Sequence, residues 1–79
     1  MFSIYPNPAV DELNLEIEIE QGNNYTFVIS DINGREVMSI NATGNIMHID
    51  ITTLENGVYL IKLLKNNHSI DYAKFVKTK

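Results

Sequence analysis

The segment at residues 31–36 comes nearest, in its residue types, to a metal site. Its order, DINGRE, places oxygen-bearing side chains at alternate positions before a glycine, as a calcium-binding loop does. The third ligand position and the distal bidentate glutamate of such a loop are missing. We therefore predict that the carboxylate of Asp31 accepts backbone N–H bonds within its own turn, and we predict no metal site.

Residues that could carry out catalysis are scarce. The chain has no cysteine, which excludes thiolate chemistry and zinc–cysteine sites. Neither His48 nor His68 stands in an arrangement with a serine that would suggest a nucleophile and its base. We predict that His48 points outward between two inward-facing strand neighbours. The sequence thus predicts no catalytic residue and no cofactor, and a fragment of a hydrolase is the weakest hypothesis.

Length and composition describe one small domain built from strands. The 79 residues are 44% hydrophobic and 20% charged, which suits one packed core but not two. There are 21 β-branched residues (11 Ile, 5 Val and 5 Thr) against 3 Ala, a balance that favours strands over helices. We find no apolar run long enough to span a bilayer as a helix and no signal peptide at residue 1.

Charge is distributed unevenly along the chain. Residues 1–34 hold six acids and no Lys or Arg, whereas residues 62–79 hold five Lys and a single Asp. The net charge of −4 and the pI near 4.9 argue against a nucleic-acid partner. We expect the acidic and basic strands to pair across one sheet, each exposed pair contributing a few tenths of a kcal/mol.

Turn signals rich in Asn and Gly recur every 10 to 13 residues and divide the chain into strands. In residues 12–20 apolar and polar side chains alternate strictly, which only a strand can convert into one apolar face. Nearly every residue of 58–64 is apolar, so we predict a central strand with little solvent on either side. The predicted strands are residues 2–5, 12–20, 25–31, 35–40, 46–51, 57–65 and 69–77.

Seven short strands with this spacing predict an all-β fold, an immunoglobulin-like sandwich of two antiparallel sheets. An open barrel of five or six strands is the structural alternative.

The opening of the chain contains an unusual pair of prolines. Pro6 and Pro8 flank Asn7, fix φ at both positions and remove two backbone donors, which favours extended conformations at Tyr5 and Asn7. We predict that this segment ends the first strand sharply and leads rigidly into the first hairpin.

Four short elements follow one another along the chain: YPNP at residues 5–8, DINGREV at 31–37, IDI with LENGVY at 49–51 and 54–59, and KFVK at 74–77. In this order and spacing they resemble the C-terminal sorting domain, type A, of the type IX (Por) secretion system of Gram-negative bacteria. The resemblance covers essentially all 79 residues. It also implies an immunoglobulin-like sandwich, in agreement with the strand pattern.

The resemblance implies that residues 1–79 are a single sorting domain, excised from the C-terminus of a larger exported protein, so that Met1 is an introduced start. Such domains follow an upstream cargo through the periplasm and are recognised by the outer-membrane secretion machinery. Many are then removed by a surface sortase, and the cargo ends at the cell surface or outside the cell. The implied function is a secretion signal without enzymatic activity.

Residue by residue, the resemblance assigns recognition to the opening motif and to the basic terminus. The recognition candidates are Pro6, Asn7, Pro8, Lys74 and Lys77. We expect the two lysines at a sheet edge, where they would either engage a partner's acidic groove or sheet, or simply protect the edge. The remaining motif residues are expected to serve the structure: Tyr5, Asp31, Gly34, Leu54, Gly57 and Tyr59.

The alternative function is an immunoglobulin-like accessory module that binds carbohydrate or spaces a catalytic domain. Carbohydrate modules usually present aromatic side chains, and this chain has four Tyr and no Trp. Tyr25 and Tyr72 are the residues whose mutation would test that alternative. The sequence leaves the cargo and the oligomeric state open.

Overall fold

The computed structural model describes residues 2–79, so the expectation for Met1 lies outside the described residues. These residues form seven strands and no helix. In chain order the strands are β1 (Phe2–Tyr5), β2 (Glu12–Ile17), β3 (Tyr25–Ser30), β4 (Glu36–Asn41), β5 (Ile46–Asp50), β6 (Gly57–Lys65) and β7 (His68–Lys77). Within residues 2–79 there is accordingly no helix that could cross a membrane.

The strands form two antiparallel sheets that pack face to face. One sheet has the order β1-β2-β5 and the other has the order β4-β3-β6-β7. If the strands are lettered A to G in chain order, A, B and E share one sheet and C, F and G share the other, as in immunoglobulin domains, but strand D (β4) pairs with C rather than with E. The predicted all-β sandwich is confirmed. The barrel alternative is wrong, because the strands form two separate sheets.

The core lies between the sheets and follows the alternation of the strands. Leu13, Leu15 and Ile17 of β2 are buried, as the period-two pattern predicts, while Ile19 is half-buried beyond the end of the strand. Phe2 meets Phe27 edge to face, with ring centroids 5.3 Å apart. The alternation was therefore interpreted correctly, although β2 ends at Ile17 rather than at residue 20.

The central strand β6 has one open face, contrary to the expectation of burial on both sides. It lies between β3 and β7, yet Val58 is 42% exposed and Leu60 and Leu64 are only half-buried. In residues 2–79 no further layer covers the outer face of the four-stranded sheet. A run of apolar residues shows that a strand is central within its sheet, but not that both faces of the sheet are covered.

The acidic and basic strands do not pair across one sheet as expected. The acidic strand β2 belongs to the three-stranded sheet, and the basic strand β7 is at the edge of the four-stranded sheet. Within residues 2–79 one ion pair connects the acidic half of the chain to a lysine of the basic half, and it joins Glu20 to Lys65 of β6. His48 points outward, as predicted, and its Nδ1 lies 3.7 Å from Oε1 of Glu12.

Candidate recognition surface

The segment that follows β1 crosses to the other sheet and lies along the edge of β7. The Oδ1 atom of Asn7 accepts the N–H of Val76 at 3.0 Å, and its Nδ2 donates to the carbonyl of Lys74 at 3.3 Å. The N–H of Ala9 then donates to the carbonyl of Val76, and the carbonyl of Ala9 accepts the N–H of Thr78, both at 2.8 Å. Residues 7–9, here termed the strap, thus act as a very short parallel strand on β7.

The prolines fit this arrangement because they remove donors that the strap could not pair. Pro6 and Pro8 have no N–H, and both are exposed at the surface. Both peptide bonds that precede them are cis. The prediction that β1 ends sharply here is confirmed, since its last residue is Tyr5. Tyr5 itself is 43% exposed, and its hydroxyl donates to the carboxylate of Glu16 on β2.

The two lysines of the basic terminus lie in different environments. Both are on β7, which is an edge strand as expected. Lys74 is exposed on the outer face, whereas Lys77 faces inward, is only 6% exposed and donates from Nζ to the carbonyl of Thr78 at 3.0 Å. Both lysines lie on the edge strand as expected, but only Lys74 presents its ammonium group to a partner.

The other half of the β7 edge is made unsuitable for pairing by different means. The register of β6 and β7 shifts between Leu63 and Leu64, where Asp71 and Ser69 are their respective partners. The carboxylate of Asp71 accepts the N–H of Tyr72 at 2.9 Å. A bulge and an occupied backbone donor both reduce pairing with another chain at an edge. The strap and the bulge together protect most of this strand.

The loop at residues 31–35 is organised by one carboxylate. Oδ1 of Asp31 accepts the N–H of Asn33 at 2.9 Å and that of Arg35 at 3.0 Å, and Oδ2 accepts the Nε of Arg35 at 3.2 Å. The N–H of Arg35 is the main reason why the pKa of Asp31 lies below its usual value. Gly34 has a φ of +84°, which a residue with a Cβ adopts only with strain. The predicted turn-capping role of Asp31 is confirmed.

The loop that leads into β6 is closed by a tyrosine. The hydroxyl of Tyr59 donates to the carbonyl of Glu55 at 2.6 Å, and its ring stacks on Phe75 with centroids 5.5 Å apart. A tyrosine at this position, bonded to the backbone a few residues upstream, is a hallmark of immunoglobulin-like sandwiches. Burial raises the pKa of this phenol above its usual value. Leu54 is half-buried against the core, and Gly57 has a φ of +154°.

All four motif elements meet at one end of the sandwich, here termed the motif end. The pairing of Gly57 with Lys77 brings the start of β6 to the end of β7, and the strap lies beside the same residues. The loops at residues 31–35 and 53–57 face each other across a largely polar depression of about 510 Å³. Elements separated by up to 69 residues thus form one continuous surface.

Sequence reasoning did not identify two residues of this surface. Ala9 is fully buried, and it carries both backbone bonds between the strap and β7. Lys62 of β6 lies beside Lys74 on the outer face of the sheet, outside any of the four motifs. An alanine after a proline and a lysine in an apolar strand carry no sequence signal of their own, because both positions acquire their role from the pairing of distant strands.

The motif end presents charged and polar side chains at the surface. Among residues 2–79 no group of His, Cys, Asp or Glu side chains could hold a metal ion. The side chains exposed at this end include Pro6, Pro8, Arg35, Glu55 and Lys74, which suit contact with a protein surface. Of the two tyrosines considered for carbohydrate, Tyr25 is 6% exposed and Tyr72 is 69% exposed, so only Tyr72 could stack on a sugar.

A comparison with protein families agrees with this arrangement. The family model described as "Secretion system C-terminal sorting domain" matches residues 3–78. This range includes all four motif elements and all seven strands apart from the first residue of β1. No curated protein matches the chain in sequence.

Proposed function

Because this chain belongs to the family of secretion system C-terminal sorting domains, we propose that it is the export signal of a larger polypeptide. A domain of this family is a sorting signal of the type IX system, and such a signal implies export to the cell surface or the extracellular space. Our proposal adds that this domain carries an attached upstream cargo through the periplasm and across the outer membrane. It does so as a folded label that has no enzymatic activity.

The match over residues 3–78 is the observation on which this proposal depends. The convergence of the four motif elements at one end supports it, because a signal recognised by one apparatus needs a single contiguous surface. We assign contact with the outer-membrane secretion machinery to Pro6, Pro8 and Lys74, which are exposed there. Asn7 and Lys77 contribute by holding the strap and the end of β7 in place.

Removal of the domain by a surface sortase is the second part of the proposal. We place the cut ahead of Phe2, the first residue of β1, since cleavage there releases the cargo and leaves the sandwich intact. Cleavage is a separate step from export, and each has its own readout.

A reporter fusion tests the proposal directly. The 79-residue chain is joined to the C-terminus of a reporter that carries a periplasmic signal peptide, in a strain that has the type IX system and in one that lacks it. We expect the reporter at the surface or in the medium only in the first strain. Retention in the periplasm of both strains would contradict the export proposal. If the exported reporter still had the mass of the whole fusion, the export proposal would stand and only the cleavage proposal would be contradicted.

A further inference from the structure

The outer face of the four-stranded sheet carries apolar side chains that the rest of the domain leaves open. Val58 is 42% exposed, Val76 is 37% exposed and Tyr72 is 69% exposed, while Leu60 between them is half-buried. Outward-facing positions of a sandwich are normally polar. Contiguous exposed apolar surface of this kind marks a site of interaction.

The opposite sheet of the same domain obeys the ordinary pattern. The side chains on its outer face are polar or charged apart from Ile46 and the ring of Tyr5: Ser3, Glu12, Asn14, Glu16, His48 and Asp50. Both sheets pack on the same core, so the fold by itself does not explain why their outer faces differ in polarity. This difference indicates a role for the apolar face of the four-stranded sheet.

A shallow depression of about 420 Å³ lies in this apolar face, beside the motif end. Val58 and Leu60 line it from β6, and Ile32, which is 79% exposed, lines it from the loop at residues 31–35. Lys62 and Lys74 also line it, together with Ser30, Asp31, Gly34 and Tyr59. The depression therefore combines apolar side chains with two cationic groups and one carboxylate.

The two lysines are neighbours without a carboxylate of their own. Lys62 pairs with Tyr72, and Leu60 pairs with Lys74. The two lysines are therefore diagonal neighbours on one face, and their backbone positions lie about 7–8 Å apart. Among residues 2–79 neither lies within 4.0 Å of a carboxylate. Asp31 also lines the depression, but its oxygens already accept bonds from Asn33 and Arg35. Two adjacent like charges are unfavourable in the isolated domain, although the chain has ten acids with which to pair them.

We propose that this surface, here termed the lysine face (Ile32, Val58, Leu60, Lys62 and Lys74), binds an extended segment of a partner protein that alternates carboxylates with apolar side chains. The carboxylates pair with the two lysines, and an apolar side chain occupies the depression. Charge complementarity determines this choice of partner, since an acidic segment supplies what the lysines lack. This inference rests on the proposed function, because the partner protein is a component of the export machinery.

Binding at the face is favoured over addition of a strand to the edge of β7. The strap already occupies the backbone groups of Lys74 and Val76, and the bulge with Asp71 protects the other half. An incoming strand would have to displace these bonds first. A segment on the lysine face leaves all of them in place.

The test uses the 79-residue chain and three short synthetic peptides. The first alternates Glu with Leu, the second replaces Glu by Lys, and the third replaces Leu by Ser. Backbone amide shifts of the ¹⁵N-labelled chain report where each peptide binds. We expect the Glu–Leu peptide to shift the amides of Val58, Leu60, Lys62 and Lys74, and we expect the other two peptides to bind at least about tenfold more weakly.

Charge reversal supplies matched variants. We expect Lys62→Glu and Lys74→Glu each to weaken binding of the Glu–Leu peptide about three- to tenfold. Lys79→Glu makes the same change of charge at the exposed C-terminus and should leave binding unchanged. Equal binding by all three peptides, equal effects of all three substitutions, or shifts confined to the strap would overturn the proposal.

A second copy of the chain could also occupy the lysine face, and the experiment must distinguish it from a partner protein. Its three-stranded sheet offers Glu12 and Glu16 on an outer face, which could meet the lysine face of a neighbour. Shifts of both faces that grow with protein concentration in the absence of peptide would identify that occupant and overturn our choice of partner.

The export assay separates this inference from the proposed function. If the wild-type chain exports the reporter and both lysine variants bind peptide and export as well as wild type, the lysine face is not the docking surface. If the wild-type chain exports nothing, the proposed function is wrong, and the peptide titration still decides on its own whether the face binds acidic segments.

Discussion

The two ends of the sandwich are closed by different kinds of contact. At the motif end the strap replaces a neighbouring strand for β7, and both Ala9 of the strap and Lys77 beside it are buried. At the opposite end Asn66, in a tight turn with a φ of 52°, bonds through its side chain to the loop at residues 23–24, and Glu20 pairs with Lys65 in the open. Water can replace exposed contacts at little cost, whereas a hydrogen bond lost beside the buried Ala9 and Lys77 leaves groups that water reaches poorly. The motif end should therefore be more sensitive to substitution.

The core beneath the motif end gives the largest expected effect. Phe75 is fully buried and stacks on Tyr59, so Phe75→Ala should lower the free energy of unfolding by about 3–5 kcal/mol. Val76 is the next residue of the same strand but is 37% exposed on the outer face, and Val76→Ala should cost about 1 kcal/mol or less. Denaturant unfolding of both variants measures the difference. Similar losses would show that the inward and outward positions of β7 are wrongly placed.

The strap gives the next largest effect. Asn7→Ala removes both side-chain bonds to β7 and should lower the free energy of unfolding by about 1–2 kcal/mol. Asn66→Gly, at the opposite end, also loses side-chain bonds but keeps the positive φ, and should cost about 1 kcal/mol or less. We also expect Asn7→Ala alone to promote self-association, because it uncovers the strand edge. A greater loss for the Asn66 variant would reverse the ranking of the two ends.

Two glycines refine the comparison at the level of the backbone. Gly34 has a φ of +84°, so Gly34→Ala should destabilise the domain by about 1 kcal/mol through backbone strain. Gly44, in the loop at the opposite end, lies outside the positive-φ region, and an added Cβ would meet no atom within 4 Å. Gly44→Ala should therefore be neutral or slightly stabilising. Thermal melting of the two variants decides, and equal shifts of Tm would count against strain as the cause.

The smallest effects concern two carboxylates, one at each end. The pKa of Asp31 is lowered chiefly by the N–H of Arg35, and the pKa of Glu20 is lowered chiefly by the bond from Lys65. A folded-state pKa below the unfolded one stabilises the domain at neutral pH, and this contribution is lost as the pH falls below about 4 and through the folded pKa. Asp31→Asn and Glu20→Gln should thus be less stable than wild type at pH 7 and should match it at low pH.

Salt distinguishes these two carboxylates. The bonds of Asp31 to backbone N–H groups are short-range, whereas the Glu20–Lys65 pair is an exposed ion pair that added salt screens. Raising the NaCl concentration at pH 7 should remove the effect of Glu20→Gln and leave most of the effect of Asp31→Asn. If salt abolished both effects, the Asp31 turn would depend on its ion pair with Arg35 rather than on its backbone bonds.

Much of the fold could be predicted from the sequence because its information is local. Alternation in β2 identified the inward face, since the side chains of a strand alternate regardless of its partners. The Asp31 turn was also predictable, because donor and acceptor lie within four residues of each other. The family motifs likewise occur as short uninterrupted strings.

The errors concern relations between strands. The acidic and basic strands were expected to pair, yet strand periodicity does not say which sheet a strand joins. Lys74 and Lys77 were treated alike, although their separation of three places them on opposite faces of one strand. The strap and the role of Ala9 depend on contacts across 67 to 69 residues, and nothing in the local sequence encodes them.

The placement of β1 determines at which end of the sandwich its first residue lies. Phe2 pairs with Ile17 at the end of the sandwich opposite the motif end, while β7 finishes at Lys77 beside the strap. The longest dimension of the domain is 38 Å. A polypeptide joined ahead of Phe2 would therefore emerge from the far side, where its bulk leaves the motif loops unobstructed. The same fold could then be attached to passengers of very different size without altering the part that a receptor would touch first.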